Sequence, residues 1–233
     1  MLAFVTINFN PENPLCMMEI VRANLNESSN PTYEDVNFND NGYSSMIVNI
    51  SHSDNQRIDE YTFESFVVVD SNKFAHAAAR AVVDGVQKKI YNPLFIYGEA
   101  DLGKTHLLYA IHKAVLTKFP DYRVVYTRAS NLAYNLILAI QQDKSNDYID
   151  KLKNADLLLL DDVQFIAGKK NIQQELYGIF DALYERDKQI VITSDKPPCD
   201  IPQLEDRVKT QMESGVIAFI QSPDASTCSD NHE

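Results

Sequence analysis

The stretch Leu94-Phe95-Ile96-Tyr97-Gly98-Glu99-Ala100-Asp101-Leu102-Gly103-Lys104-Thr105-His106 restricts this chain more than any other. Four apolar, strand-forming residues run into the spacing G-x-x-x-x-G-K-T, and a helical pattern starts at once. Leu107, Leu108, Ala110, Ile111, Ala114 and Val115 recur at the spacing of one buried helix face. The bare spacing also occurs in unrelated turns, but strand, glycine-bounded loop and helix in that order are the parts of a phosphate-binding loop. Gly98 and Gly103 let the main chain wrap closely round an anion, and the N–H groups at the helix start point at its oxygens. Lys104 supplies a point charge to the β- and γ-phosphates, and the Thr105 hydroxyl a ligand for Mg²⁺. The expected ligand is a nucleoside triphosphate.

Two carboxylates, Glu99 and Asp101, lie within this loop. A unit charge about 7 Å from the phosphates, at an effective dielectric of about 20, costs roughly 2 kcal/mol if it faces them. Asp tolerates a left-handed backbone better than most non-glycines, so Asp101 is compatible with the turn. Weakened nucleotide affinity is the expectation.

Composition narrows the remaining choices. The 233 residues fit one sizeable domain, alone or with an appendage, and 45% hydrophobic content can fill a real core. No apolar run reaches the roughly 18 residues of a membrane span. Met1–Asn8 lacks the basic start and long apolar stretch of a secretory signal. Cys16, Cys199 and Cys228 are odd in number and scattered, which suits reduced thiols and a cytoplasmic location better than a disulfide framework or metal site. The net charge of −12 argues against gripping nucleic acid over the whole surface. Residues 1–60 carry −7 of it and the remainder −5, so any DNA contact must be local.

Along the chain, residues 1–58 are acidic and rich in Asn and Ser, with short apolar islands, and read as an arm or small module. Ser51–Asp59 reads as a linker. From residue 59 to 221 the texture is that of a folded core, and 222–233 has no pattern and reads as a disordered tail. Phe74–Val83 is alanine-rich and helical, with Ser71 as a candidate cap. Short strands are expected at 94–97, 124–126, 157–160, 190–193 and 216–220, with amphipathic helices between them. Five apolar strands separated by helices predict a three-layer α/β domain around a parallel sheet.

Leu157-Leu158-Leu159-Leu160 runs into Asp161-Asp162. A buried strand ending in carboxylates places them at the sheet edge where ligands bind. Asp161 is expected to hold Mg²⁺ and Asp162 to polarise an attacking water. Ser194-Asp195 ends another core strand and is placed to sense the γ-phosphate.

Residues 61–221 resemble the nucleotide-binding AAA+ domain of the DnaA family of bacterial replication initiators. The resemblance is carried by Thr62–Val68, by Ser71-Asn72-Lys73-Phe74-Ala75-His76-Ala77-Ala78 and by Tyr91–Gly98 with Leu102–Leu107. It continues through Leu159–Lys169, Ser194-Asp195-Lys196-Pro197-Pro198 and Leu204-Glu205-Asp206-Arg207. It implies a P-loop AAA+ fold, ATP or ADP with Mg²⁺ as ligands, weak hydrolysis, nucleotide-switched self-assembly with DnaA-family subunits and a role at replication origins. Phe66, Val67, Val68 and Asn72 match the segment that helps enclose the adenine. Gly98, Leu102, Gly103, Lys104, Thr105 and His106 match the phosphate loop and its helix start, within which Asp101 is also a candidate nucleotide contact. Asp161 and Asp162 match the Mg²⁺ and water-activating acids, and Ser194 and Asp195 the first sensor. The stretch Asn131–Lys153 matches helices that touch single-stranded origin DNA, with Arg128, Lys144, Lys151 and Lys153 as phosphate contacts.

The departures are specific. Val69 stands where the family usually has Gly, and Asp101 replaces a loop Gly. Gln211 replaces the arginine that reaches a neighbouring subunit's ATP, a loss worth on the order of 10³–10⁵ in rate elsewhere. The expected lid subdomain, its second sensor arginine and the duplex-reading helix-turn-helix find no match in the sequence. The first expectation is therefore an ATP-binding, DnaA-like protein with at most weak ATPase activity. A competent initiator fragment, a binding-only module with a degraded site and a helicase loader are the rivals. The Gln164–Lys169 block favours the initiator branch over the loader.

Overall fold

A computed structural model describes residues 60–86, 91–141 and 145–221. The readings of 1–58, of the 51–59 linker, of Lys144 and of the 222–233 tail lie outside these residues.

Strands buried on both faces read as continuous apolar runs, because neither side chain set meets water. That is the character of β1 (Leu94–Tyr97), β2 (Val124–Arg128), β3 (Leu157–Asp161) and β4 (Gln189–Ser194), whereas the edge strand β5 (Val216–Phe219) is apolar but exposes Ile217 and Phe219. They pair in the order β2-β3-β4-β1-β5, every pair parallel. Six helices accompany them among the described residues: α1 (Lys73–Gly85), α2 (Lys104–Lys118), α3 (Ala129–Gln141), α4 (Ser145–Lys153), α5 (Lys170–Glu185) and α6 (Asp206–Glu213).

Successive strand residues point to opposite faces and so divide the core into two layers. Leu94, Ile96, Val124, Tyr126, Leu157, Leu159 and Val191 pack with α1, α2, Phe63 and Phe66. Phe95, Val125, Leu158, Leu160, Ile190 and Ile192 pack with residues of α3, α4, α5 and α6. The expected three-layer architecture is the observed one. Helix α2 is buried more widely than its predicted face: Tyr109 and His112 are buried along with Leu107, Leu108, Ile111 and Val115. It lies between the sheet and α1, and a helix enclosed in this way loses its polar side.

One local expectation is corrected. Ser71 does not cap α1; Asn72 is the N-cap residue, and its side chain makes no cap bond. Instead the Val69 N–H donates to Asn72 Oδ1 (2.9 Å), and Asn72 Nδ2 donates to the Val67 carbonyl (3.0 Å). The buried amide thus clasps the segment before the helix, satisfying polar groups that burial would otherwise leave costly. Val69 itself is not among the positive-φ residues of the described chain, so a branched side chain is unstrained there.

Candidate nucleotide site

The buried polar residues Thr127, Asp161, Thr193 and Ser194 stand at the C-terminal ends of β2, β3 and β4. In a parallel sheet this is the edge outside which ligands bind. The loop between β1 and α2 lies there too. It needs two left-handed residues, Asp101 at φ 62° and Gly103 at φ 86°. Aspartate is one of the few non-glycines that enter this region readily, so the loop keeps its turn without the expected glycine. Glu99 and Asp101 are both exposed.

Lys104 is buried at the start of α2, and its Nζ donates to the carbonyls of Gly98 (2.8 Å) and Glu99 (2.6 Å). The ammonium is therefore held inside the curl of the loop by the loop's own main chain. Gly103 is confined by more than its φ: a Cβ there would sit 2.7 Å from the Phe66 ring. Gly98 carries a constraint beyond the expected one. Its φ is ordinary, and a Cβ would press on the carbonyl oxygen of Ile220, just beyond β5. Its smallness serves the close approach of the chain leaving β5, whose Ile220 N–H donates to the Tyr97 carbonyl (2.8 Å).

Asp161 is completely buried. Thr105 Oγ1 donates to its Oδ2 at 2.9 Å, Tyr126 Oη donates to the same oxygen at 3.0 Å, and Thr193 Oγ1 donates to Oδ1. Burial pushes its carboxyl above the ordinary value, the Thr193 bond opposes this, and the neighbouring Asp162 charge adds to it. The same burial, with the Asp161 charge beside it, raises the Tyr126 phenol. A buried carboxylate whose hydrogen bonds come from neutral hydroxyls keeps its charge available to a cation, and one oxygen of it lies beside a second hard oxygen donor, Thr105. No cluster of three or more His, Cys, Asp or Glu side chains forms among the described residues. The donor set thus fits Mg²⁺, which is commonly held by one or two protein oxygens together with phosphates and water.

Asp162 follows in a left-handed conformation, φ 58° and ψ 52°. Its N–H donates to Thr193 Oγ1 (3.0 Å), and its Oδ1 accepts from Gln164 Nε2 (3.2 Å). Gln164 Oε1 in turn accepts the Asp195 N–H at 3.4 Å. Ser194 is buried at the end of β4; its carbonyl accepts the Gly98 N–H (3.3 Å) and its Oγ the Lys196 N–H (3.2 Å). Asp161, Asp162, Ser194, Asp195, Lys104 and Thr105 are therefore gathered at one edge.

The segment before α1 divides by role. Val67 and Val68 are 71% and 45% exposed, leaving their apolar side chains uncovered ahead of α1. Phe66 is buried, stacked on His76 with centroids 5.6 Å apart and edge-on to His106 at 5.1 Å. His106 Nε2 lies 2.8 Å from the Thr62 carbonyl oxygen, tying the first turn of α2 to this segment. Leu102 is partly buried against the α1–α2 layer.

Four features were not anticipated from sequence: the Tyr126 and Thr193 hydroxyls, the Gln164 bridge and the buried Gln173. Gln173 Nε2 donates to the carbonyls of Ile166 and Gln203 (both 3.0 Å), and its Oε1 accepts the Glu205 N–H (2.7 Å). Thr193 and Tyr126 lie inside their strands and carried no separate signal in the sequence. Gln211 lies on α6 with its amide oxygen buried and without a partner among the described residues. Arg207 donates to Glu205 (2.9 Å) and lies over the Tyr177 ring, 4.9 Å from its centroid. Arg128 ends β2 in register with Asp161, and Lys151 and Lys153 lie in the last turn of α4.

Residues 58–219 match the family model described as the bacterial DnaA ATPase domain. Domain III of the Thermotoga maritima replication initiation protein DnaA is 41% identical, with a TM-score of 0.69, over 72% of this chain and 70% of that one. A replication initiator DnaA solved with AMPPCP and single-stranded DNA is 35% identical, TM-score 0.68, over 70% of this chain and 50% of that one. The chain thus spans about half the length of that initiator. The DnaC helicase loader shares the fold at 20% identity and a TM-score of 0.62. Among the described residues no helix is long and apolar enough to cross a membrane. The loop, the paired acids and the strand order are thus accompanied by family-level sequence similarity across most of the chain, and the chain belongs to the DnaA family through its ATPase domain.

Proposed function

We propose that this chain is an ATP-binding, DnaA-like subunit acting in the initiation or regulation of chromosomal replication, with little hydrolysis of its own. The observation that carries the reading is the Thr105–Asp161 hydrogen bond of 2.9 Å beside the buried Lys104. It joins the start of α2 to the end of β3, so that phosphate and cation would be held across one junction. Main-chain N–H groups at the α2 N-terminus and Lys104 would hold the triphosphate, and Val67 and Val68 would meet the base. Thr105 and Asp161 would hold Mg²⁺, which neutralises charge on the β- and γ-phosphates when bound. Asp162, steadied by Gln164, accepts a proton from water in whatever slow hydrolysis occurs, and Ser194 and Asp195 border the γ-phosphate. ADP occupies the same loop.

A solved relative holds AMPPCP and single-stranded DNA. That relative supports nucleotide and single-stranded DNA as ligands to test here; the contact of origin DNA along α3 and α4 through Arg128, Lys151 and Lys153, and nucleotide-linked association with DnaA-family subunits, are our own extension of it. We place this activity in the cytoplasm, with residues 59–221 as the functional core. Gln211 favours binding over turnover, because glutamine brings no charge to a neighbour's phosphates. Calorimetry of ATP and ADP binding, with Mg²⁺ present and absent, tests the reading. Lys104→Ala should abolish binding; undiminished affinity in that variant would overturn it.

A further inference from the structure

Two hydroxyls on the flanking strands, those of Tyr126 and Thr193, donate to Asp161 without a part in the chemistry of phosphate or water. Each oxygen of the carboxylate is held separately. Thr193 on β4 fixes Oδ1, and Tyr126 on β2 fixes Oδ2 at 3.0 Å. Both hydroxyl residues are buried, and the Tyr126 ring packs on Tyr109 with centroids 4.7 Å apart. The carboxylate cannot turn about its last bond without giving up both donors at once.

Thr105 explains why that matters. A threonine hydroxyl has a single proton and two lone pairs. Its proton is directed at Asp161 Oδ2, 2.9 Å away. The lone pairs then face away from the carboxylate, the orientation a hard cation requires of an oxygen ligand. If Asp161 rotated, Thr105 would follow its acceptor and the lone pairs would swing out of line. Thr193 also holds the next residue, because its oxygen accepts the Asp162 N–H at 3.0 Å, and the two acids share one anchor.

We propose that Tyr126 and Thr193 are positioning residues that set the Mg²⁺ dependence of nucleotide binding by locking the Asp161 carboxylate, and with it the Thr105 hydroxyl. This rests on the nucleotide site proposed above. The partners that orient metal ligands typically change metal affinity by about 10–100-fold when removed.

The test is ATP affinity by calorimetry in Mg²⁺ and in EDTA, for the full chain and for Tyr126→Phe, Thr193→Val and Thr193→Ser. Tyr126→Phe keeps the ring and its packing while removing the donor. It should cut the ratio of the two affinities by about 10-fold, leaving the EDTA value near that of the parent chain. Thr193→Val should do the same, and Thr193→Ser, which restores a hydroxyl, should recover most of the ratio. An unchanged ratio in Tyr126→Phe and in Thr193→Val overturns the proposal and leaves the nucleotide reading intact. Equal losses with and without Mg²⁺ would indicate a packing role and also overturn it. Absence of ATP binding by the parent chain overturns the nucleotide reading, and the proposal falls with it.

Discussion

One strand, β3, carries an aspartate at either end, and the two live in opposite conditions. Asp156, just before the strand, accepts from Lys188 Nζ at 2.7 Å and from both the Nε and the main-chain N–H of Arg123, at 3.2 and 3.0 Å. Burial pushes its carboxyl up, and the Lys188 and Arg123 bonds reverse this and hold it below the ordinary value. Asp161, at the other end, has neutral hydroxyl donors and stays above that value. The N-terminal edge of the sheet is electrically closed, so its acid stabilises the fold. At the C-terminal edge the carboxylate is held by hydroxyls rather than by cations, a condition that costs the fold more and suits a bound cation. Structure and function have been given separate ends of the same strand.

The sharpest separation should come from two glycines flanking the β1–β5 pair. A Cβ at Gly215 would collide with the main chain of Asn92 and Pro93, and one at Gly98 with the Ile220 carbonyl. Alanine at either site should cost about 3 kcal/mol in urea unfolding, since rigid main chain cannot step aside. The edges then differ in a second readout. Gly215→Ala should bind ATP normally wherever it remains folded, whereas Gly98→Ala should bind it weakly at any temperature. Normal ATP affinity in folded Gly98→Ala would erase the distinction.

Neutralising the two aspartates should move stability in opposite directions. Asp156→Asn leaves two cations beside a half-buried amide and should lower stability by about 1.5 kcal/mol. Asp161→Asn removes a buried, underserved charge and should raise the stability of the nucleotide-free chain by about 1 kcal/mol. That rise is worth about 2–4 °C in Tm for a domain of this size. The same variant should lose the Mg²⁺ contribution to ATP binding. A fall in Tm for Asp161→Asn would show that the hydroxyl donors already compensate its charge.

The smallest effect is in the pH profile. A depressed carboxyl stabilises the fold above the ordinary value of 3.8 and loses that contribution as pH falls through its lowered value. The deficit of Asp156→Asn should therefore be full at neutral pH and vanish in strong acid. A raised carboxyl works the other way, because the native state binds the proton more tightly and stability declines as pH climbs from 3.8. The advantage of Asp161→Asn should accordingly be greater at about pH 7 than at about pH 4. Parallel profiles for the two variants would contradict the assignment of the two environments.

The central strands are legible because burial on both faces leaves runs of apolar residues in them, and the glycine-bounded loop because its spacing is short and local. Less local features escaped. Gly98 was read as serving an anion, yet its tightest neighbour is Ile220, more than a hundred positions later in the chain. Ser71 has the right chemistry for a cap, but Asn72 reaches the carbonyl and N–H of the preceding segment better and takes the position. Tyr126 and Thr193 look like ordinary strand formers; only the parallel register that brings β2, β3 and β4 side by side gives them a shared acceptor. Asp101 was read correctly because a left-handed preference belongs to the residue itself rather than to its surroundings.

The tethered Lys104 has a kinetic meaning. A free lysine gives up as much as about 2 kcal/mol of rotamer freedom when a ligand pins it. Here two loop carbonyls have already immobilised the chain. On the proposed reading, an arriving polyphosphate would meet a charge that is aimed before contact and would need only to exchange one set of oxygens for another. Recognition at this loop would then be a substitution rather than a capture, and anions unable to take over both carbonyl positions would gain little from it.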